Sequence, residues 1–235
     1  MLQPTIYLLV LTAFISSQNP SEKPPLFQEL SANETGIEFQ NTVIEGVGNN
    51  ILESEFFYNG GGVAVGDLND DGRPDIYFSG NQVDNALYLN EGNFTFRNIT
   101  SLAGVQDIGG WSAGVMMGDI NADGLLDIYV CKTGIVPEDE RRNKLFIHQG
   151  LNENDIPVFE EQSQRFGLDD PGYCTQSSQI DYNGDGLLDL FIVNYNTRDY
   201  ARFDLSTIRN QFDTFAGDKL YRNNGDGTFT DVSKE

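Results

Sequence analysis

The chain has 235 residues, of which 14 are Lys or Arg and 36 are Asp or Glu, so its formal net charge is −22. This length can bury a hydrophobic core, and the charge repels nucleic-acid phosphates and anionic membrane surfaces, so we expect no nucleic-acid partner. A single His and two Cys exclude most zinc sites, whereas an acidic surface suits hard cations that take oxygen ligands.

The N-terminal segment contains an apolar run from Ile6 to Ile15, which is too short to span a bilayer. Such a run is typical of the centre of a secretory signal peptide, although no Lys or Arg precedes it. We predict a signal peptide at residues 1–17, a linker at 18–26 and an exported protein, secreted or at the cell surface, without a transmembrane helix. The alternative is that the run forms a buried N-terminal strand.

The stretch FQELSANETGI at 27–37 resembles two later stretches, FRNITSLAGV and FEEQSQRFGL. Each of the later stretches begins with the second arm of a predicted hairpin, which is expected to be the outer strand of a sheet. We therefore expect a lone outer strand at 27–37, without a sheet of its own.

Three acidic loops follow one pattern: VGDLNDDGRPDIYF, MGDINADGLLDIYV and IDYNGDGLLDLFIV. Each contains Asp, any residue, Asn, any residue, Asp, Gly, two residues and Asp, followed by an apolar run. The copies recur at intervals of roughly 50 to 60 residues, a period that indicates propellers, solenoids or arrays.

A hairpin is predicted after each acidic loop, because Gly and Asn separate two short runs in which apolar and polar residues alternate. The three stretches are LYLNEGNFTFRNIT, LFIHQG with FEEQS, and LYRNNGDGTFTDVS. One repeat therefore holds four strands, which is the content of a propeller blade. We predict an all-β fold over 27–235 with three four-stranded antiparallel blades, at about 56–100, 111–163 and 172–233. Three blades are too few to close a ring, so we expect further propeller blades from a longer chain; the alternative is an open stack.

The acidic loops are predicted to bind about three Ca²⁺ ions, because alternating carboxylates repel one another unless a cation lies between them. The expected ligands are the side chains at positions one, three, five and nine and the backbone carbonyl at position seven. They are Asp67, Asn69, Asp71, Arg73 and Asp75; Asp119, Asn121, Asp123, Leu125 and Asp127; and Asp181, Asn183, Asp185, Leu187 and Asp189.

The same loops do not fit an EF-hand, but they do fit a turn that needs no metal. An EF-hand needs a Glu at position twelve and flanking helices, whereas position twelve here is Phe78, Val130 or Ile192. A turn held by Asp and Asn side chains that bond their own backbone stays open as an alternative. Mg²⁺ is disfavoured because it keeps its waters.

The loops, each followed by DIYF, DIYV or DLFIV, resemble the FG-GAP and VCBS-type repeats of integrin alpha-subunit propellers and of many exported bacterial proteins. The fuller run YNGGGVAVGDLNDDGRPDIYFSGN, with LYLNEG, is similar to the cartilage acidic protein and UnbV-type family. The resemblance covers about 27–233 and implies the propeller fold and calcium, but not a single function, since this scaffold hosts adhesion, glycan binding and enzymes. No Gly-Ala-Pro string is present, so integrin-like ligand binding is not carried over.

The loops at the opposite end of the blades lengthen along the chain and carry seven of the fourteen basic residues, in 131–144 and 195–217. Long loops on a rigid scaffold often bind ligands, so this end is a candidate face for an acidic glycan or a protein partner. The candidate residues are Arg141, Arg142, Arg198, Arg202 and Arg209. The alternative is that these arginines pair with nearby acids.

Three further residue types bear on function. Cys131 and Cys174 are expected on that same face in adjacent blades, either as a disulfide or as two buried free thiols. Trp111 is expected at a channel mouth or in packing between blades. His148 is expected to be a solvated hairpin residue, so no Ser-His-Asp or Cys-His arrangement is available.

These observations predict a non-enzymatic, calcium-binding adhesion or ligand-interaction module. Two alternatives stay open: a polysaccharide lyase or another glycan-processing enzyme whose catalytic residues lie outside this segment, and a purely structural scaffold.

Overall fold

The structure is a computed structural model that describes residues 25–196 and 213–234. The chain divides into two compact units, Met1–Leu30 and Ser31–Glu235. The first unit is described only at 25–30, which form no helix or strand, so the predicted signal peptide and most of the predicted linker lie outside the described residues. Within the described part of the chain, no helix has the length and apolar character needed to cross a membrane.

The described strands form three four-stranded antiparallel sheets, in which the strands lie side by side in chain order. We name the sheets blades 1, 2 and 3. Blade 1 consists of β1 (Val63–Gly66), β2 (Asp75–Phe78), β3 (Ala86–Gly92) and β4 (Thr95–Asn98). Blade 2 consists of β5 (Ser112–Gly118), β6 (Asp127–Lys132), β7 (Lys144–Leu151) and β8 (Pro157–Glu161). Blade 3 consists of β9 (Cys174–Ile180), β10 (Asp189–Asn194), β11 (Lys219–Asn223) and β12 (Phe229–Asp231). The predicted all-β fold with three four-stranded antiparallel blades is thereby confirmed.

The first two strands pair in the same register in every blade. The residue before each acidic loop faces the last Asp of that loop: Gly66 with Asp75, Gly118 with Asp127, and Ile180 with Asp189. The three acidic loops therefore start and end at equivalent points of their blades, and their side chains can be compared position by position.

Two hydrophobic cores lie between the blades. The core between blades 1 and 2 includes Ala64, Tyr77, Leu87, Val115, Ile128 and Val130. The core between blades 2 and 3 includes Tyr129, Cys131, Leu145, Leu190, Ile192 and Tyr221. Because successive side chains of a strand point to opposite faces, β6 contributes to both cores, and all six of its residues are buried.

Blades 1 and 3 each have a second face that is turned away from blade 2. On blade 1, Val63 and Val65 are 57% and 59% exposed on this face, and the ring of Phe39 stacks on Phe78 with centroids 5.0 Å apart. On blade 3, Phe191 and Val193 alternate with the buried Leu190 and Ile192 and are themselves exposed. Both outer faces therefore carry exposed apolar side chains, although Phe39 covers part of the face of blade 1.

A single helical turn that ends in a left-handed Gly recurs before each blade. The turns are α1 (Ala32–Thr35), α2 (Thr100–Ala103) and α3 (Ser163–Phe166), and their terminal glycines are Gly36, Gly104 and Gly167. A Cβ at these glycines would lie 2.4, 3.1 and 3.3 Å from the carbonyl oxygens of Phe96, Phe159 and Phe229, which belong to β4, β8 and β12. Each turn thus packs against the outer strand of the blade that follows it, and only Gly combines this approach with the positive φ.

This recurring turn corrects the expectation of a lone outer strand at 27–37. The carboxylate of Glu34 accepts the backbone N–H and the hydroxyl of Ser31, at 2.9 and 2.8 Å, and α1 begins directly after Ser31. A strand needs a neighbour to pair its backbone groups, and 25–30 has none among the described residues. The likeness to the two later stretches is carried by the helical turn and its Gly instead.

Candidate metal centres

The backbone of the three acidic loops bends at the same two positions. Position six, the Gly that the sequence pattern contains, has φ of 80°, 91° and 88° at Gly72, Gly124 and Gly186. Position four is also left-handed, with φ of 57°, 61° and 76° at Asp70, Ala122 and Gly184. The predicted turn at position six is present. The left-handed conformation at position four could not be predicted from the sequence pattern, because a different residue occupies this position in each loop.

The carboxylate at position one closes each loop by accepting backbone N–H groups from positions five and six. Asp67 accepts from Asp71 at 3.1 Å and from Gly72 at 2.7 Å. Asp119 and Asp181 repeat this pair of bonds in their own loops. The carboxylate therefore lies inside the curve of the loop.

The side chains at positions three and five are tied to each other. The Asn amide at position three donates to the Asp at position five, at 2.9, 2.8 and 2.8 Å in the three loops. The other oxygen of that Asp accepts the N–H of position seven, at 2.9, 2.9 and 2.8 Å. These bonds leave lone pairs on the carboxylates, and they are also the bonds expected of a turn held by its own side chains.

The Asp at position nine has a different environment, because Asp75, Asp127 and Asp189 are fully buried. In blade 2, Asp127 accepts the N–H of Ile120 and the N–H of His148, both at 2.9 Å. The equivalent bonds form in the other two blades. This residue therefore ties the start of its loop to the third strand of its blade.

The buried acids of the first two loops have raised pKa values, mainly because of burial and in part because of neighbouring carboxylates. Burial raises the pKa of Asp127 to about 6; the two N–H donors oppose the rise, and the carboxylates of Asp123 and Asp119 add to it. Burial also raises the pKa of Asp75. Within the described chain, no Lys or Arg pairs with the acids of the second loop, so a cation there would relieve the repulsion.

The first loop differs from the other two in its balance of charge and hydrogen bonds. Arg73 at position seven places its guanidinium 2.5 Å from Asp71, whereas this position is Leu in the other loops. The Oδ1 atom of Asn69 is buried and has no hydrogen-bond partner, whereas the Oδ1 atoms of Asn121 and Asn183 accept N–H groups within their own loops. An oxygen without a partner fits a metal ligand at position three.

No three His, Cys, Asp or Glu side chains among the described residues converge as a metal-binding group. The set that each loop offers is mixed instead: carboxylates, one Asn amide oxygen and one main-chain carbonyl. These are the donor types that Ca²⁺ accepts in proteins.

The predicted arginine face is only partly described, since Arg198, Arg202 and Arg209 lie outside the described residues. Arg141 is buried, donates to the carbonyl oxygens of Pro171 and Val136 at 2.8 and 3.0 Å, and stacks 4.2 Å above the ring of Tyr173. Arg142 pairs with Glu138, Asp139 and Asp169. Both described arginines are therefore engaged within the protein, but only Arg142 pairs with acids as the alternative expected.

Two buried ion pairs at the same end of the blades were not anticipated. Lys132 lies 2.6 Å from Asp107, and Lys219 pairs with Asp170. Asp107 and Asp170 each lie three residues after the Gly that ends a helical turn. This shared spacing is the sequence feature from which the two ion pairs could have been predicted. The pairs join the connection before each blade to the strands of that blade.

His148 is not solvated, which corrects the sequence-based expectation. Its side chain is buried against Phe159; Nδ1 accepts the N–H of Gly150 at 2.9 Å, so Nε2 carries the proton and donates to the Leu68 carbonyl oxygen at 3.0 Å. Burial lowers the pKa of His148, which keeps the ring neutral. The residue thus links blade 2 to the first acidic loop.

Cys131 and Cys174 are buried free thiols in the core between blades 2 and 3. Burial raises the pKa of the Cys174 thiol, and the neighbouring Cys131 thiol raises it further. Of the two alternatives left open by the sequence, the structure has the free thiols.

Comparison with known proteins supports the resemblance found in the sequence. Residues 67–130 match the family model of the FG-GAP-like repeat. The chain is 28% identical to Cartilage acidic protein 1 of Xenopus tropicalis over 138 residues, which are 58% of this chain and 20% of that protein. The chain thus spans about one fifth of the length of the curated relative that it matches. Similarity to FG-GAP repeats and to the cartilage acidic protein family is thereby confirmed.

Proposed function

We propose that this chain is an exported, Ca²⁺-stabilised β-propeller segment that serves as an adhesion or ligand-interaction module. The observation that carries the proposal is the threefold repetition of one acidic loop with the same hydrogen bonds. Each loop holds carboxylates at positions one, five and nine within nine residues of the chain, and backbone N–H groups are their main compensation.

Each ion would be held within one loop. The oxygens at positions one, three, five and nine and the carbonyl at position seven would be its ligands, and the ion would supply the positive charge that the loop lacks. The protein residues arrange the rest: position one closes the turn, and position nine anchors it to the third strand. The role of the metal would be structural, because it would fix the bend between the first and second strands of each blade.

An interaction role fits the described residues better than catalysis. Both ring nitrogens of the only His are engaged in hydrogen bonds, and the acids of the loops are used in turn closure. The similarity to a protein named Cartilage acidic protein 1 also favours an extracellular module over an enzyme. Export is proposed from the N-terminal apolar run and from this similarity.

The two open faces point to further blades as partners of this segment. Val63 and Val65 occupy the positions that Val115 and Met117 occupy on the face of blade 2 that packs on blade 1. Phe191 occupies the position of Tyr77 and Tyr129, which lie in the two inter-blade cores. The outer faces of blades 1 and 3 are therefore equivalent to the faces that pack between blades, and further propeller blades would bury them.

Calorimetric titration of Ca²⁺ into the EDTA-treated chain tests the proposal. We expect uptake of about three ions and a higher melting temperature, since a ligand at a hundredfold its dissociation constant adds about 2.7 kcal/mol per site. The triple variant Asp71→Asn, Asp123→Asn, Asp185→Asn keeps an acceptor oxygen at position five but removes the charge, so it should fold and lose calcium uptake. No uptake by the unmodified chain, with melting indifferent to EDTA, would leave only the side-chain-stabilised turn.

A further inference from the structure

A cavity of about 300 Å³ lies at the end of the blades opposite the acidic loops, where the first strand of each blade begins. Three aromatic side chains line it: Phe56, Trp111 and Tyr195. The rings of Phe56 and Tyr195 are in contact, with centroids 4.0 Å apart, and Trp111 packs on Phe57 at 5.3 Å. These ring contacts therefore fix the orientation of the aromatic side chains that line the cavity.

The polar side chains of the cavity have unused hydrogen-bonding capacity. Among the described residues, the side-chain amides of Asn59 and Gln176 have no hydrogen-bond partner. The hydroxyl of Thr133 is also without a partner, although this residue is only 5% exposed. A buried hydroxyl that bonds nothing is costly, and a ligand that donates to it or accepts from it would remove the cost.

All three blades contribute to the cavity, because the first strands of the blades approach one another closely there. A Cβ at Gly62 would lie 2.8 Å from the carbonyl oxygen of Ala113, and a Cβ at Gly114 would lie 2.4 Å from that of Thr175. Glycine at these two positions lets the backbones of β1, β5 and β9 come together, so one small ligand can reach groups from three blades.

No charged side chain is among the described residues that line this cavity, although the chain carries a net charge of −22. Among these lining residues, a cation would find no carboxylate and an anion would find no cationic side chain. Charged side chains line the adjoining cavity of about 490 Å³ instead, where Glu53 and Glu55 occur together with Arg141. The chemistry that remains is a neutral ligand with one apolar face and several hydroxyls.

We propose that this cavity binds a neutral pyranose unit of a glycan. The apolar C–H face of the sugar ring packs on Trp111 or Tyr195, and its hydroxyls bond Asn59, Gln176 and Thr133, which can each donate and accept. The volume is at the lower end of the range of about 300–1,000 Å³ for small-molecule sites, which suits a single sugar ring. This inference rests on the interaction role proposed above and names the ligand class for it.

The only Trp of the chain lines the cavity, so its fluorescence reports directly on occupancy. The calcium-loaded chain is titrated with glucose, galactose, mannose, N-acetylglucosamine and their short oligomers, and with glucuronate as the charged counterpart. We expect a saturable change of emission for at least one neutral sugar, with a dissociation constant on the order of 1 mM, as suits a ligand of this size. Glucuronate should bind more weakly.

The double variant Asn59→Ala, Gln176→Ala changes two exposed side chains and should weaken sugar binding about tenfold, since a hydroxyl loses its partner. Asn154→Ala, an exposed amide in the β7–β8 hairpin, is the matched control and should bind as the unmodified chain does. Circular dichroism confirms that each variant is folded.

Three results would overturn the inference: no saturable change with any neutral sugar, binding that survives the double variant, or glucuronate binding as tightly as the neutral sugars. Calcium uptake is measured on the same samples. A chain that takes up Ca²⁺ but no sugar refutes the pyranose site alone, whereas a chain that takes up neither refutes the proposed function as well.

Discussion

The two ends of the blades differ in how closely they repeat. At the acidic-loop end, the carboxylates at positions one, five and nine make the same backbone hydrogen bonds in all three blades. At the opposite end, the connections differ in length and content. One bond recurs there: the side chain just before the third strand accepts the N–H of the residue five positions after the last Asp of the acidic loop, through Asn85, Asn143 and Asp218. The repeated end holds the blades in shape, which leaves the varied end free to carry specificity.

The largest effect is expected at the varied end, from Lys132→Met. This change leaves the buried Asp107 carboxylate without its cation and should lower the free energy of unfolding by about 4 kcal/mol, as is typical when one partner of a buried pair is lost. Urea denaturation measures it. The double variant Lys132→Met, Asp107→Leu should recover most of the loss; a double variant as unstable as the single one would contradict the ion pair as the cause.

At the repeated end, Asp127→Ala should cost about 3 kcal/mol in EDTA, because it leaves the buried N–H groups of Ile120 and His148 without an acceptor. Asp123→Ala, an exposed acid of the same loop, is the control and should cost much less. Working in EDTA removes the metal from the comparison. Equal losses from the two variants would show that position nine has no special structural role.

The first acidic loop should bind Ca²⁺ more weakly than the others, since Arg73 already pairs with Asp71. Exposed pairs of this kind are worth up to about 1 kcal/mol, so Arg73→Leu should tighten calcium binding at this loop by up to about fivefold. The reciprocal change Leu125→Arg should weaken the second loop similarly. Calorimetric titration of both variants measures the change in calcium affinity. Unchanged affinities in both variants would show that the residue at position seven does not influence calcium binding through its charge.

The smallest effect concerns position four of the loops, where Ala122 has φ of 61°. Ala in this left-handed conformation is strained, so Ala122→Gly should raise the free energy of unfolding by about 0.5–1 kcal/mol. Gly184→Ala at the equivalent position, φ 76°, should lower it by about 1 kcal/mol. Thermal melts of the pair measure both, and shifts of the same sign would be inconsistent with backbone strain.

Much of the repeated end could be predicted from sequence because its bonds are local. Asp67 bonds residues four and five positions away, so regular spacing was enough to place it. The environment of His148 was misjudged because its partner, the Leu68 carbonyl, is 80 residues away. The stretch 27–37 was misjudged because the likeness to later segments was assigned to a strand, whereas Ser31 and Glu34 cap a helical turn.

The sequence by itself determined the number of described blades, the acidic loops and the turn at their sixth position, since these follow from period-two alternation and from spacings within one repeat. Only the tertiary structure decided that Asp107 neutralises Lys132, that Cys131 and Cys174 share a core, and that Trp111, Tyr195 and Thr133 meet around one cavity. The reason is that these contacts form between blades, or between a blade and the connection that precedes it. Residues distant in the chain pack together there, and no local periodicity encodes the pairing.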